Sequence, residues 1–153
     1  MRQVRAKFRV LSVTKKWDRS VIIELGPVLQ RGSNPENSEF WKFTPSGEAT
    51  LNFRGQALDD RGQEYTPGDY YYIDMHKDDD GGWHLGNVSH SGEESGSVDL
   101  CTRGGKYTAG HGEDGFTYGK LQMGLDHAPA LGWFDNPGGS WAVKFSFAEA
   151  SDD

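Results

Sequence analysis

Val4-Arg5-Ala6-Lys7-Phe8-Arg9-Val10 alternates without a break, with Val4, Ala6, Phe8 and Val10 on one side and Arg5, Lys7 and Arg9 on the other. Period two marks a strand with one face buried and one in water. The pattern returns near the end of the chain, where Trp141, Val143, Phe145 and Phe147 alternate with Ala142, Lys144 and Ser146. Residues 3–14 and 140–148 are therefore expected in one sheet. The last strand would pair with the N-terminal sheet and close it, placing Phe8 and Phe145 in the core.

Working inward from these two ends, Ser20–Leu25 is short and β-branched and follows the polar stretch Lys15–Arg19, which predicts a hairpin with the first strand. Pro27 marks an edge or the end of that strand. The Gly32–Asn37 stretch reads as a surface loop. Phe40, Trp41 and Phe43 introduce a further strand that stops at Thr44-Pro45-Ser46-Gly47, and Glu48–Phe53 resumes the alternation, which reads as a second hairpin. Thr66-Pro67-Gly68-Asp69 repeats the turn chemistry and releases the strand Tyr70–Met75. Five or so strands by residue 75 would close a small barrel or sandwich. Beyond Asp78-Asp79-Asp80-Gly81-Gly82, strands are expected at Trp83–Val88, Ser97–Cys101, Phe116–Met123 and Trp141–Phe147.

The predicted fold is thus all-β: one domain over residues 1–153, a small barrel or sandwich of antiparallel strands. Its Gly-rich, acidic region at about 77–139 is expected as an inserted or appended β elaboration. Composition agrees. Of 153 residues, 21 are Gly and 6 Pro, while five Trp, six Tyr and eight Phe supply large rings to a chain only 35% hydrophobic.

The formal net charge of −7 is unevenly placed: residues 1–60 carry 10 basic and 7 acidic side chains, residues 61–153 carry 6 and 16. So acidic a second half disfavours general nucleic-acid binding and anionic membranes. Cys101 is the only cysteine, so no intrachain disulfide forms. No apolar run approaches the roughly 18 residues of a membrane span, and the charged N-terminus does not read as a secretory signal. Synthesis in a cytoplasm is expected.

The stretch Phe40-Trp41-Lys42-Phe43-Thr44-Pro45-Ser46-Gly47-Glu48, followed by an alternating strand and then Pro67-Gly68-Asp69-Tyr70-Tyr71-Tyr72-Ile73-Asp74, resembles a pattern shared by small uncharacterised β proteins of tailed phages and prophages. The resemblance covers about residues 1–75 and rests on turn and strand residues. It implies a phage setting and a compact β domain, and it carries no catalytic residues.

Several constellations point to chemistry. Asp78, Asp79 and Asp80 would suit a hard cation, but they lack the distant carboxylate of a calcium loop and read better as a hairpin loop with positive φ at Asp80-Gly81. His76, His84, His90, His111 and His127 with Cys101 lack the close pairing of a zinc site, so no metal or cofactor is expected. Cys101, among Val98, Leu100 and Thr102, reads as a small buried strand residue. Gly104-Gly105-Lys106 and Gly110-His111-Gly112 lack the spacing of a phosphate loop. Trp83, Tyr107, Tyr118 and Trp133, with Phe116 and Phe134, are ligand-groove candidates for a sugar or base, against the alternative that they fill the core.

Three functions follow as expectations. The first is a non-enzymatic phage structural or assembly protein, a capsid or tail accessory that self-associates or docks on a virion surface. Arg5, Lys7 and Arg9 would be its partner-binding stripe, ~13 Å long, facing an acidic partner such as the second half of a neighbouring copy. The second is a small-ligand or nucleotide-binding barrel that sequesters a host signalling molecule. The third is a glycan-active enzyme using carboxylates such as Glu93, Glu94 or Asp114.

Overall fold

The computed structural model describes residues 3–28, 46–79, 81–90, 96–102, 116–125, 134 and 139–149. Eight strands occur there, β1 (Gln3–Lys15), β2 (Ser20–Pro27), β3 (Ser46–Arg54), β4 (Tyr70–Lys77), β5 (Trp83–His90), β6 (Gly96–Thr102), β7 (Phe116–Leu125) and β8 (Ser140–Ala148). No helix is found among the described residues. The strands form a closed antiparallel barrel in the order β1-β2-β3-β7-β6-β5-β8-β4.

The two alternating segments behave as their pattern requires. Ala6, Phe8 and Val10 of β1 and Val143 and Phe145 of β8 point into the barrel, each at most 1% exposed. Both strands pair with β4, β1 through Ala6↔Ile73 and β8 through Phe145↔Ile73. β1 and β2 form the expected hairpin, interrupted by a bulge between Val10 and Ser12. The extra residue, Leu11, is turned out, and inward packing passes from even to odd positions so that Val13 reaches the core.

Two expectations change. The region 77–139 is not an elaboration, because β5, β6 and β7 lie within it and are three staves of the barrel wall. Closure is not reached by residue 75 either: only four described strands have begun by then, and β4 is joined to β5 only through β8. The segment Phe40–Phe43 lies outside the described residues.

The Asp78–Gly82 turn is also not a hairpin loop. Trp141 of β8 is in register with Lys77 on one side and with Trp83 on the other, so the chain leaving β4 crosses over the start of β8 and continues along its opposite edge. Asp78 N–H donates to Ser140 O (3.1 Å), and Leu85 N–H donates to Gly139 O (2.9 Å). At the crossing, a side chain on Gly81 would fall on the Trp141 carbonyl. Glycine is needed here for close backbone approach, not for the positive φ that the turn reading assigned.

Rings fill the interior. Trp83, Tyr71, Phe8, Phe53, Phe134 and Phe145 are all fully buried. Trp83 lies 6.1 Å from Phe145 between ring centres and against the backbone of Gly119, and Phe134 stacks on Trp141 at 4.7 Å.

Candidate functional site

The segment 55–69 connects β3 to β4, which are not neighbours in the barrel, so it must pass the ends of β1 and β2. It does so as a folded plug. Leu58 and Glu64 form an isolated bridge, and Gly62 takes positive φ at the tip. Ala57 and Tyr65 insert their side chains into the core. Tyr65 packs on Tyr71 (4.7 Å) and Phe53 (5.6 Å). The Thr66–Asp69 turn forms as its residues dictate: Gly68 has φ +97°, and Asp69 N–H donates to Thr66 O at 3.1 Å. Gly68 N–H and Val10 O then pin the turn to β1.

Asp59 anchors this plug. Its side chain is fully buried, and it accepts from Arg61 Nε (2.9 Å), Arg61 Nη2 (2.6 Å), Tyr71 Oη (2.9 Å) and the backbone N–H groups of Arg61 (2.9 Å) and Gln63 (3.0 Å). Burial alone would raise its pKa, but these donors outweigh it and hold the carboxyl below its ordinary value. The Tyr71 hydroxyl is pushed upward, first by burial and then by its bond to Asp59. Above the network the Arg61 guanidinium lies 3.5 Å from the centre of the Phe147 ring, and Asp60 Oδ1 accepts the Phe147 N–H (2.9 Å). A carboxylate with its acceptors occupied and a phenol held protonated exchange no proton near neutral pH. The arrangement fastens the plug to β4 and β8.

The basic residues of β1 share one outer face but not one environment. Arg5 grips Asp74 with two bonds, Nε to Oδ1 at 2.7 Å and Nη2 to Oδ2 at 3.0 Å, and its guanidinium lies 4.3 Å from the Tyr72 ring centre. Lys7, expected in solvent, is only 4% exposed, with its ammonium 5.3 Å from the same ring. Arg9 is exposed. The uniform stripe read from the spacing is thus a wall staple at Arg5, a covered cation at Lys7 and an accessible cation at Arg9. Spacing fixes the face, whereas neighbouring strands fix access.

The aromatic groove candidates do not converge. Trp83 points into the barrel and is fully buried, whereas Tyr118 points outward and is 38% exposed. The wall of the barrel therefore separates them, and together they line no groove. Tyr107 and Trp133 lie outside the described residues, as do Glu93, Glu94, Asp114, His111, His127, Asp80 and the glycine runs at 104–106 and 110–112. Phe134 belongs to the core. Cys101 is not the buried inward residue that its neighbours suggested. Val98, Leu100 and Thr102 point inward and Cys101 is partly exposed on the outer face, while Thr102 Oγ1 accepts the buried Gly119 N–H at 3.0 Å. His76 Nε2 lies 3.7 Å from Asp78 Oδ2. Among the described residues no three His, Cys, Asp or Glu side chains converge as metal ligands.

Sequence reading missed two features. Trp17, at the tip of the β1–β2 hairpin, is 96% exposed. Its signal was present, a tryptophan inside a four-residue polar connection. At the other end of β3, the outer face carries a groove of about 390 Å³ lined by Ser46, Gly47, Glu48, Ser97, Gln122 and Gly124. It joins residues from three strands that the sequence does not show to be neighbours. No family model, curated protein or solved structure matches the chain.

Proposed function

We propose that the protein is a non-enzymatic structural or assembly protein that acts through its outer surface by associating with itself. The observation that carries this reading is the filled barrel. Inward positions are taken by Trp83, Tyr71, Phe8, Phe53 and Phe145, and the plug anchored by Asp59 lies across the ends of β1 and β2. A ligand-binding barrel keeps its centre for the ligand, whereas among the described residues the inward positions are given to packing. Recognition then falls to the outside, where Arg9, Trp17 and Leu11 are exposed. The resemblance of residues 1–75 to phage proteins supports a virion setting, with the chain made in the host cytoplasm.

Sedimentation velocity over a concentration series, paired with a thermal-shift screen against nucleotides and sugars, tests the reading. Growth in size with concentration and no ligand-induced shift is the expected result. A monomer at all concentrations that a nucleotide stabilises by about 2.7 kcal/mol at a hundredfold excess over its Kd would replace it with the ligand-binding reading.

A further inference from the structure

The hairpin tip is a closed turn that leaves the Trp17 side chain in water. Arg19 N–H donates to Lys16 O (3.1 Å) and Lys16 N–H to Ser20 O (2.9 Å), closing the turn. Asp18 Oδ1 accepts both the N–H (3.1 Å) and the hydroxyl (2.6 Å) of Ser20. Gly55 N–H donates to Arg19 O (2.9 Å) and ties the tip to the end of β3. An indole that is 96% exposed contributes nothing to the core. Lys16 and Arg19 flank it, and Arg54 is in register with Ser20 beside it. The tip is an apolar knob in a ring of cations, with its one carboxylate, Asp18, engaged by the turn.

The groove has the opposite character. It opens at the start of β3, so the length of that strand, about 26 Å at its usual rise, separates it from the tip. Ser46, Gly47, Ser97 and Gly124 give it a floor of small residues. Glu48, Gln122 and Asp99 form one rung along its side, since Gln122 is in register with both carboxylates. Asp99 Oδ1 is buried and accepts no hydrogen bond among the described residues.

Resting on the self-association reading above, we propose that copies of this chain join head to tail, Trp17 of one copy seating in the groove between β3, β7 and β6 of the next. Lys16, Arg19 and Arg54 then face Glu48 and Asp99. Knob and groove lie at opposite ends of β3, so the contact is heterologous and leaves a free knob and a free groove at the ends of any open assembly. The second copy is preferred to other occupants because the charges are complementary and both surfaces belong to the same chain.

Trp17→Ala and Glu48→Lys, both at exposed positions, are examined by sedimentation velocity at about 50 and 500 mM salt, a range over which surface charge pairs become screened. Wild type should assemble, more strongly at low salt. Each variant alone should associate about thirtyfold more weakly or worse, as for a lost hot spot, with an unchanged Tm. Mixed in equal amounts, the variants should form a species no larger than a dimer, because Trp17→Ala keeps the groove and Glu48→Lys keeps the knob. If wild type assembles and either variant assembles as strongly, or if their mixture stays monomeric, the knob and groove assignment is overturned while self-association stands. A wild type that is monomeric at every concentration and salt overturns both.

Discussion

The β3–β7 wall and the β5–β8 seam close the same barrel by different means. Eight register pairs join β3 to β7, from Ser46↔Gly124 to Phe53↔Phe116, whereas two join β5 to β8, Trp83↔Trp141 and His84↔Ser140. Along the wall, a long ladder spreads the load, so any one residue pair contributes a small share. At the seam the ladder is too short to hold by itself, and closure depends on how closely the 78–82 crossing lies against β8 and on the ring of Trp83 packed near Phe145. The difference teaches that the tolerance of a closed sheet is set locally, by the number of pairs a strand makes with each neighbour, and not by closure itself.

The largest expected effect is therefore at the crossing. Gly81→Ala would press a methyl carbon onto the Trp141 carbonyl and the Ala142 nitrogen, all backbone atoms that cannot rotate away. The expected cost is about 4 kcal/mol or more, read as loss of the cooperative unfolding transition or a collapse in soluble yield. Gly86→Ala, in β5 just beyond the crossing and with open space around its added carbon, should lie within about 1 kcal/mol of wild type. Equal stability of the two variants would show that the seam does not depend on close approach.

Next come the rings. Phe8→Ala on β1 and Phe145→Ala on β8 each empty a fully buried position and should cost about 3–5 kcal/mol in denaturant unfolding. The comparison sharpens if Phe145→Ala lies at the upper end. Phe145 packs near Trp83 in a strand that makes eight register pairs with β4 but only two with β5, while Phe8 sits in a strand with seven register pairs to each of its neighbours.

The plug supplies a polar counterpart. Asp59→Ala removes the acceptor of the buried Tyr71 hydroxyl and of two backbone N–H groups, and should cost about 3 kcal/mol at pH 7. Because the folded state lowers the Asp59 pKa, its contribution is complete above the unfolded carboxylate value near about pH 4. It is lost as the pH falls through the lower folded value. The gap in stability between wild type and Asp59→Ala should thus close on acidification below about pH 4. A gap that stays constant down to pH 2 would show that the anchor does not depend on the ionised carboxylate.

How much of this was legible in the sequence follows from how local each signal is. The alternation in residues 4–10 and 141–147 and the Pro67-Gly68 turn identify strands and a turn from contiguous residues, and the structure contains them. What contiguous residues do not record is which strands become neighbours. Nothing in Asp78–Gly82 distinguishes a hairpin from a chain crossing over a strand that lies sixty residues further on, so the need for Gly81 was assigned to φ instead of to proximity. Asp59 looked like one acid among many, because its partner Tyr71, and the Phe147 ring that covers Arg61, come together only after the barrel closes. Likewise the spacing of Arg5, Lys7 and Arg9 gave their common face and not the Asp74 carboxylate and Tyr72 ring that divide their roles.

The smallest expected effect lies at the tip of the β1–β2 hairpin. Arg19 is the only non-glycine residue with positive φ among the described residues, at +71°, completing the turn that begins at Lys16. An L side chain there costs roughly 1–2 kcal/mol relative to right-handed conformations, and glycine removes that cost while adding up to about 1 kcal/mol of unfolded-state entropy. Arg19→Gly should therefore stabilise the fold by about 0.5 kcal/mol, a gain visible as a small rise in the denaturant midpoint with an unchanged m-value. The substitution also removes one of the cations beside Trp17 while leaving the turn hydrogen bonds in place. Stability and association should then move in opposite directions, the monomer slightly firmer and the low-salt assembly weaker. Destabilisation would instead mean that the Arg19 side chain makes contacts at the tip worth more than the strain of its backbone.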